Sequence, residues 1–111
     1  MTATVLIVPG LRDHVAQHWQ TLLAAEWPDA HTVAPMGREN LDCARRVDAI
    51  EAAVCAIQGP VILVAHSGGC VMVAHWAQST QHASRIQGAL MATPPDFETP
   101  MPEGYPTIEA L

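Results

Sequence analysis

Ser67 is the residue of this chain whose type and surroundings most directly indicate chemistry. It stands in the stretch Ala65-His66-Ser67-Gly68-Gly69, after the apolar run 61–64 and before a second apolar segment that ends at 79–80. A buried strand, a tight turn and a helix of about three turns would place the serine hydroxyl above the sheet edge, beside the first backbone N–H groups of the helix. This is the arrangement of a nucleophile elbow, and it predicts acyl-transfer chemistry at Ser67.

The sequence around Ser67 departs at one position from the usual G-x-S-x-G signature, because Ala65 replaces the first glycine. Alanine is the mildest replacement, since the strained turn requires small neighbours. The short signature is weakly specific, and the strand before it and the helix after it strengthen the interpretation. The alternative is an ordinary strand-to-helix turn in which Ser67 and Gly68 only begin the helix.

A second loop, Pro9-Gly10-Leu11-Arg12, follows an apolar strand predicted at 4–8. The carboxyl ends of parallel strands meet at one edge of a sheet, so we expect this loop to face Ser67. An oxyanion hole needs the N–H that follows the nucleophile and another from a neighbouring loop. Gly68 and Leu11 are the predicted donors; the alternative is that Pro9 and Gly10 form only a turn.

Two histidines are candidates for binding substrate. His66 adjoins Ser67 on a tight turn, where neighbouring side chains rarely face each other, so we expect it to line the site or pack rather than act as the base. His14 follows the predicted oxyanion loop and is a candidate substrate contact. His14 and His18 have the i, i+4 spacing of a zinc pair, but there is no Glu at the H-E-x-x-H position and no clear third ligand. No metal site and no cofactor are predicted.

The rest of the chain alternates between strand and helix patterns. Strands are predicted at 4–8, 31–34, 61–64 and 86–92, helices from 13 or 14 to 27, from 41 to 57 and after Ser67, and a proline-rich loop at 93–111. This order predicts one α/β domain with a doubly wound, mostly parallel sheet of about four strands and flanking helices. The buried face of the first helix is expected to consist of Trp19, Leu22, Leu23 and Trp27. That of the second helix is expected to consist of Leu41, Ala44, Val47, Ile50, Val54 and Ile57.

Composition limits the partners. The 111 residues include five arginines, no lysine and 11 acidic residues, a formal net charge of −6, which argues against nucleic acid and membrane partners and favours a small molecule or a protein. Three cysteines without C-x-x-C spacing predict reduced thiols in a cytoplasmic protein. The sequence shows no signal peptide and no membrane span.

Four segments resemble the small serine hydrolases of the retinoblastoma-binding-protein-nine and YdeN type, within the α/β-hydrolase superfamily. They are Val8-Pro9-Gly10-Leu11, His18-Trp19-Gln20, the turn at His66-Ser67, and Ala92-Thr93-Pro94-Pro95-Asp96. The resemblance implies a sheet order of second, first, third and fourth strand. It also implies a Ser-Asp-His triad in that chain order, with Ser67 attacking an ester, thioester or amide to form an acyl-enzyme.

The resemblance covers essentially the whole chain but corresponds to the N-terminal part of a family member. In the family, the acid and the base follow two further strands, so residues 1–111 are expected to be one hydrolase domain that is incomplete at its C-terminus. We expect little or no turnover from these residues alone. Asp96 occupies a place where some α/β hydrolases have their acid, but without a base it would accomplish little. The alternative function is a non-catalytic module that binds a protein or a small ligand.

Overall fold

The computed structural model describes residues 3–10, 19–27, 29–33 and 43–93. The elements, in chain order, are β1 (Thr4–Val8), α1 (Trp19–Glu26), β2 (His31–Thr32), α2 (Cys43–Ala56), β3 (Val61–His66), α3 (Gly68–Ser79), a short 3-10 turn (Ala83–Arg85) and β4 (Ile86–Ala92). All paired strands run parallel, and their order in the sheet is β2-β1-β3-β4. The predicted fold class and strand order are confirmed.

Both faces of the central strands are covered by helices. Successive side chains of a strand point to opposite faces, so Leu6 of β1 and Leu63 of β3 belong to a core shared with α2 and α3, where Trp76 is the largest buried side chain. Val5 and Val64 belong to a second, smaller cluster with residues of α1. The sheet is therefore doubly wound, as predicted.

The register brings three strand ends to one level. β1 pairs with β3 from Thr4 opposite Val61 to Val8 opposite Ala65, and the last pair between β3 and β4 is His66 opposite Ala92. The segments that follow β1, β3 and β4 therefore leave the sheet side by side at its carboxyl edge.

Two strands differ in length from the prediction. β3 continues two residues beyond the apolar run, because its pairing with β4 extends to His66 opposite Ala92. Hydropathy alone does not predict that a polar residue belongs to the strand. β2 contains only two residues, although the N–H of Val33 still donates to the carbonyl of Ile7 at 3.0 Å. Residue 34, the predicted end of β2, lies outside the described residues.

The prediction of which α1 side chains are buried is partly wrong. Trp19 and Leu23 pack against the sheet, but Leu22 is 54% and Trp27 48% exposed. Leu22 is rotated by about 100° from Leu23 on a helix, and Trp27 follows the last helical residue. The buried side chain of this helix is instead the polar Gln20. The predicted helix start at 13 or 14 lies outside the described residues.

The apolar face of α2 is confirmed in the C-terminal half of the helix. Ile50 and Val54 are buried, as is Ile57 just after the helix, and Val47 is partly buried, whereas Ala44 is exposed. The predicted start at Leu41 lies outside the described residues. No helix in the described part of the chain is long and apolar enough to span a membrane.

Arg85 closes the C-terminal end of α2. Its guanidinium donates to the carbonyls of Val54 at 2.9 Å, Gly59 at 2.8 and 3.1 Å, and Ile57. The last carbonyls of a helix have no partner within the helix and carry partial negative charge. A cation with several donors is well suited to these carbonyls. Because Arg85 directly precedes β4, its bonds link the end of α2 to the start of β4.

Strand β4 forms an edge of the sheet with little cover. Its pattern of exposure runs from half-buried Ile86 through exposed residues 87–91 to half-buried Ala92. Leu90 is 56% and Met91 38% exposed. Apart from Ile86, which packs against the core, the apolar side chains of this strand are therefore largely uncovered within the described part of the chain.

Candidate active site

Ser67 occupies the turn between β3 and α3 in an uncommon backbone conformation. Its φ is 50° and its ψ is −121°, and positive φ is costly for a residue with a side chain. Hydrogen bonds hold the turn on both sides: the Ser67 N–H donates to the Ala92 carbonyl, and the Cys70 N–H donates to the Ser67 carbonyl, each at 2.9 Å. The surrounding backbone thus imposes this conformation on Ser67.

The hydroxyl of Ser67 does not serve as a helix cap. A capping serine has φ and ψ in the β region and accepts a hydrogen bond from the second or third N–H of the helix, but the Ser67 side chain makes no such bond to α3. No hydrogen bond links this hydroxyl to another described residue. The alternative interpretation, in which Ser67 only begins the helix, therefore has no capping bond to support it.

Gly69 allows α3 to approach the end of β1 very closely. A Cβ on Gly69 would lie 2.5 Å from the carbonyl oxygen of Val8 and 2.7 Å from that of Pro9. Real Cβ atoms do not approach backbone atoms so closely, and backbone cannot move aside cheaply. Glycine is therefore required here by contact between two backbone segments rather than by its own conformational freedom.

The Pro9-Gly10 segment lies against the Ser67 turn, as predicted. A Cβ on Gly10 would lie 3.1 Å from the His66 carbonyl oxygen, 3.4 Å from Ser67 Cβ and 3.6 Å from the Gly68 nitrogen. Gly68 is the first residue of α3, so its N–H belongs to the helix-terminal donors that have no partner within the helix. The two other predicted site residues, Leu11 and His14, lie outside the described residues.

His66 is held by Trp19 and Thr93. The Trp19 indole N–H donates to His66 Nδ1 at 3.0 Å, and the two rings meet edge to face with centroids 5.8 Å apart. The Thr93 hydroxyl lies 3.3 Å from the same nitrogen. His66 is thus half-buried beside the turn and fixed by neighbours from α1 and from the end of β4.

Gln20 supports the strands next to Ser67, a role that its sequence pattern did not predict. Its side chain is 4% exposed, and its amide nitrogen donates to the carbonyls of Val64 at 3.0 Å and Val8 at 3.3 Å. One amide therefore bridges β1 and β3 near their carboxyl ends. The adjacent residues Trp19 and Gln20 both contact strand ends near Ser67. Their place in a family motif was the only indication of this, and it did not show which atoms they contact.

Cys70 lies one turn into α3 from Ser67. It is a free, buried thiol whose sulfur donates to the Ala92 carbonyl at 3.6 Å. Burial raises the pKa of this thiol above its ordinary value, because the interior disfavours the thiolate. Cys70 therefore packs beside the turn as a neutral group. Cys55 is also free, and it is exposed; the side chain of Cys43 lies outside the described residues.

A parallel, doubly wound sheet with a strained serine at the central strand-to-helix turn defines an α/β fold of the hydrolase type. The chain belongs to the serine hydrolase family, whose model matches residues 5–110. It is similar to the crystal structure of a YdeN-like hydrolase from Pectobacterium atrosepticum, with 31% sequence identity and a TM-score of 0.76.

That similarity covers 85% of this chain and 50% of the Pectobacterium chain, so the chain spans about half the length of the structure that it matches. No curated protein matches the chain significantly. The predicted resemblance to the N-terminal part of a small serine hydrolase is confirmed.

Proposed function

We propose that the full-length protein is a serine hydrolase that cleaves a small ester, thioester or amide through an acyl-enzyme on Ser67. The observation that carries this proposal is the conformation of Ser67. A positive φ at a residue with a side chain costs about 1–3 kcal/mol. The Ser67 side chain does not offset this cost, because it makes neither a capping bond nor another hydrogen bond to a described residue. Such strain at the edge of a sheet is typical of a nucleophile elbow.

In the proposed mechanism, Ser67 Oγ attacks the substrate carbonyl and its proton passes to a histidine base. The carbonyl oxygen becomes an oxyanion, which the N–H groups of Gly68 and Leu11 stabilise, each donor by about 3 kcal/mol. Collapse of this intermediate breaks the bond to the alcohol, thiol or amine, which leaves with the proton. Water then releases the acyl group by the same steps.

The proposal assigns the acid and the base to the part of the protein that follows these residues. The family order is Ser, then Asp, then His, and the matched hydrolase is about twice as long as the aligned region. Residues 1–111 are accordingly proposed to be an incomplete hydrolase domain with little or no turnover. His66 and His14 are proposed to contact substrate, and the Trp19 bond to His66 Nδ1 supports a lining role over a base.

The experiment uses a fluorophosphonate probe, which reacts with activated serines, and a p-nitrophenyl ester on the full-length protein. We expect rapid labelling at Ser67 and steady turnover, both lost in Ser67→Ala and both retained in Ser84→Ala, which removes another serine hydroxyl at an exposed position. Labelling that survives Ser67→Ala would overturn the assignment. The 111-residue chain, assayed in parallel, should show little turnover; steady hydrolysis that depends on Ser67 would refute the proposed need for further residues.

A second candidate function is a non-catalytic module that binds a protein or a small ligand in the same crevice. Such a module would need neither an acid nor a base, and no described side chain hydrogen-bonds the Ser67 hydroxyl. The same probe separates the two functions, because a binding module would not be labelled.

Under either function the net charge of −6 makes nucleic acid and anionic membranes unfavourable partners. A cytoplasmic location stays a prediction.

A further inference from the structure

Three side chains with metal-binding atoms converge at the end of α2. Glu51 and Cys55 are one helical turn apart on α2, and His82 lies between α3 and the 3-10 turn. Cys55 Sγ is 3.5 Å from His82 Nε2, and Glu51 Oε2 is 3.8 Å from the same nitrogen. The ligand atoms of the three residues all lie within 4.8 Å of one another.

This cluster is remote from Ser67. Cys55 lies in the last turn of α2, just before β3 begins, and His82 lies just before β4 begins. The starts of parallel strands meet at the amino edge of a sheet, whereas Ser67 follows β3 at the carboxyl edge. The cluster is therefore independent of the function proposed for Ser67.

Two of the three separations between the ligand atoms fit a tetrahedral metal ion, and the third is at most 4.8 Å. With metal–ligand bonds of about 2.0–2.3 Å, two ligand atoms on a zinc ion are roughly 3.3–3.8 Å apart. The distances from His82 Nε2 to Cys55 Sγ and Glu51 Oε2 lie in this range. The side chains of His82 and Glu51 are 35% and 37% exposed, so solvent can reach a fourth position.

The geometry also distinguishes a metal site from a cysteine nucleophile with a histidine base. In a catalytic triad, the nucleophile and the acid bind opposite nitrogens of the histidine ring. Here the thiol and the carboxylate face the same nitrogen, Nε2. Three groups directed at one point are suited to hold an ion between them.

A hydrogen-bond network positions the ligands in advance. Glu51 Oε1 accepts from the Thr80 hydroxyl at 2.8 Å and the Trp76 indole N–H at 2.9 Å, so that Oε2 faces His82. The Thr80 oxygen also accepts from the His82 backbone N–H at 3.0 Å. Metal-binding carboxylates are commonly oriented by such outer partners.

We propose that Glu51, Cys55 and His82 bind one Zn²⁺ ion, with a water molecule in the fourth position. A thiolate and an imidazole favour zinc over Mg²⁺ and Ca²⁺, which prefer oxygen ligands. On binding, the Cys55 thiol gives its proton to solvent and its sulfur bonds to the metal. The ion would join α2 to the segment that enters β4. No sequence motif indicates this site, because Cys55 and His82 are 27 residues apart.

The test measures zinc binding by untagged, reduced protein in competition with a chromophoric chelator. We expect one Zn²⁺ per chain, and an affinity reduced at least about tenfold in Cys55→Ser, His82→Gln and Glu51→Gln. His31→Gln is the matched control, because it removes an exposed histidine on β2, and it should bind like the wild type. Equal affinity in the wild type and in Cys55→Ser, which changes an exposed side chain and should not impair folding, would overturn the proposal.

Cobalt substitution tests the ligand set directly. Co²⁺ in the wild type should give visible bands of tetrahedral geometry and a sulfur-to-cobalt charge-transfer band, and Cys55→Ser should lose the charge-transfer band. Thr80→Val, which removes the positioning hydroxyl but no ligand, should keep that band while affinity falls by about 10- to 100-fold. A spectrum without a thiolate band in the wild type would refute the proposed site.

Discussion

The indole N–H of Trp19 donates to Nδ1 of His66 across 3.0 Å, and this bond joins α1 to the last residue of β3. An indole N–H can only donate, so Nδ1 must accept and the neutral imidazole carries its proton on Nε2. The bond therefore selects one tautomer of the histidine that precedes Ser67 and fixes the plane of its ring.

The tautomer of His66 can be observed by nitrogen NMR. We expect Nδ1 of His66 to give a shift typical of an unprotonated nitrogen and Nε2 that of a protonated one. Trp19→Phe should allow the other tautomer to become populated, because it removes the donor while keeping an aromatic ring. An unchanged tautomer ratio in Trp19→Phe would show that Thr93, 3.3 Å from Nδ1, suffices to fix the ring.

The close approach at Gly69 predicts a large effect of a single methyl group. Gly69→Ala should lower the free energy of unfolding by about 1–3 kcal/mol, because the new Cβ meets the carbonyls of Val8 and Pro9. Gly88→Ala is the control: a Cβ there meets nothing within 4 Å, so stability should be unchanged or slightly higher. Urea unfolding of both variants measures the difference, and similar midpoints would contradict the contact.

The strain at Ser67 can be separated from the loss of its hydroxyl. Ser67→Gly and Ser67→Ala both remove the hydroxyl, but only glycine adopts φ of 50° at little cost. We expect the glycine variant to be more stable than the alanine variant by about 1 kcal/mol. Thermal unfolding of the two variants in one buffer provides the comparison, and an alanine variant that is equally stable would mean that the turn stores no strain.

The two described thiols should differ in reactivity. Because burial raises the pKa of Cys70, its thiolate fraction at mildly alkaline pH is smaller than that of an ordinary thiol, and its alkylation should accelerate only at higher pH. With a chelator present, iodoacetamide should modify exposed Cys55 at least about tenfold faster than Cys70. Peptide mapping by mass spectrometry gives both rates. In denaturant the difference should vanish, and its persistence there would assign it to local sequence instead of burial.

The exposed edge strand predicts association of the 111-residue chain. An uncovered apolar edge strand presents backbone donors and acceptors to other chains, so light scattering should show a mass that rises with concentration. Leu90→Lys should reduce this association, while Leu22→Lys should not, although Leu22 is equally exposed on α1 (54% against 56%). A monomer at high concentration in the wild type would refute this expectation.

The sequence predicted those parts of the fold that follow from hydropathy and from strand-to-helix order. The alternation of apolar runs and helical periods gave the sheet, and β4 was predicted with its observed bounds, Ile86–Ala92. Hydropathy failed where burial depends on contact: Leu22 is exposed, whereas Gln20 is buried by its bonds to two strand carbonyls. Periodicity cannot show that a polar side chain finds partners in a core.

The candidate site was predictable in type but not in detail. The small residues around Ser67 indicated a strained turn, and the structure has positive φ at that residue. The contact of Gly10 with this turn follows from the parallel order of strands, which the sequence pattern supplied. By contrast, the Trp19 bond to His66 and the convergence of Glu51, Cys55 and His82 depend on tertiary geometry between distant residues.

The contacts of Arg85 make the end of α2 and the start of β4 parts of one cooperative unit. Its guanidinium binds carbonyls of Val54, Ile57 and Gly59, and β4 begins at the next residue. If β4 leaves the sheet, the last turn of α2 loses its bound cation. We therefore expect opening of this edge to release these carbonyls as well, so that amide hydrogens of β4 exchange together with those of the last turn of α2.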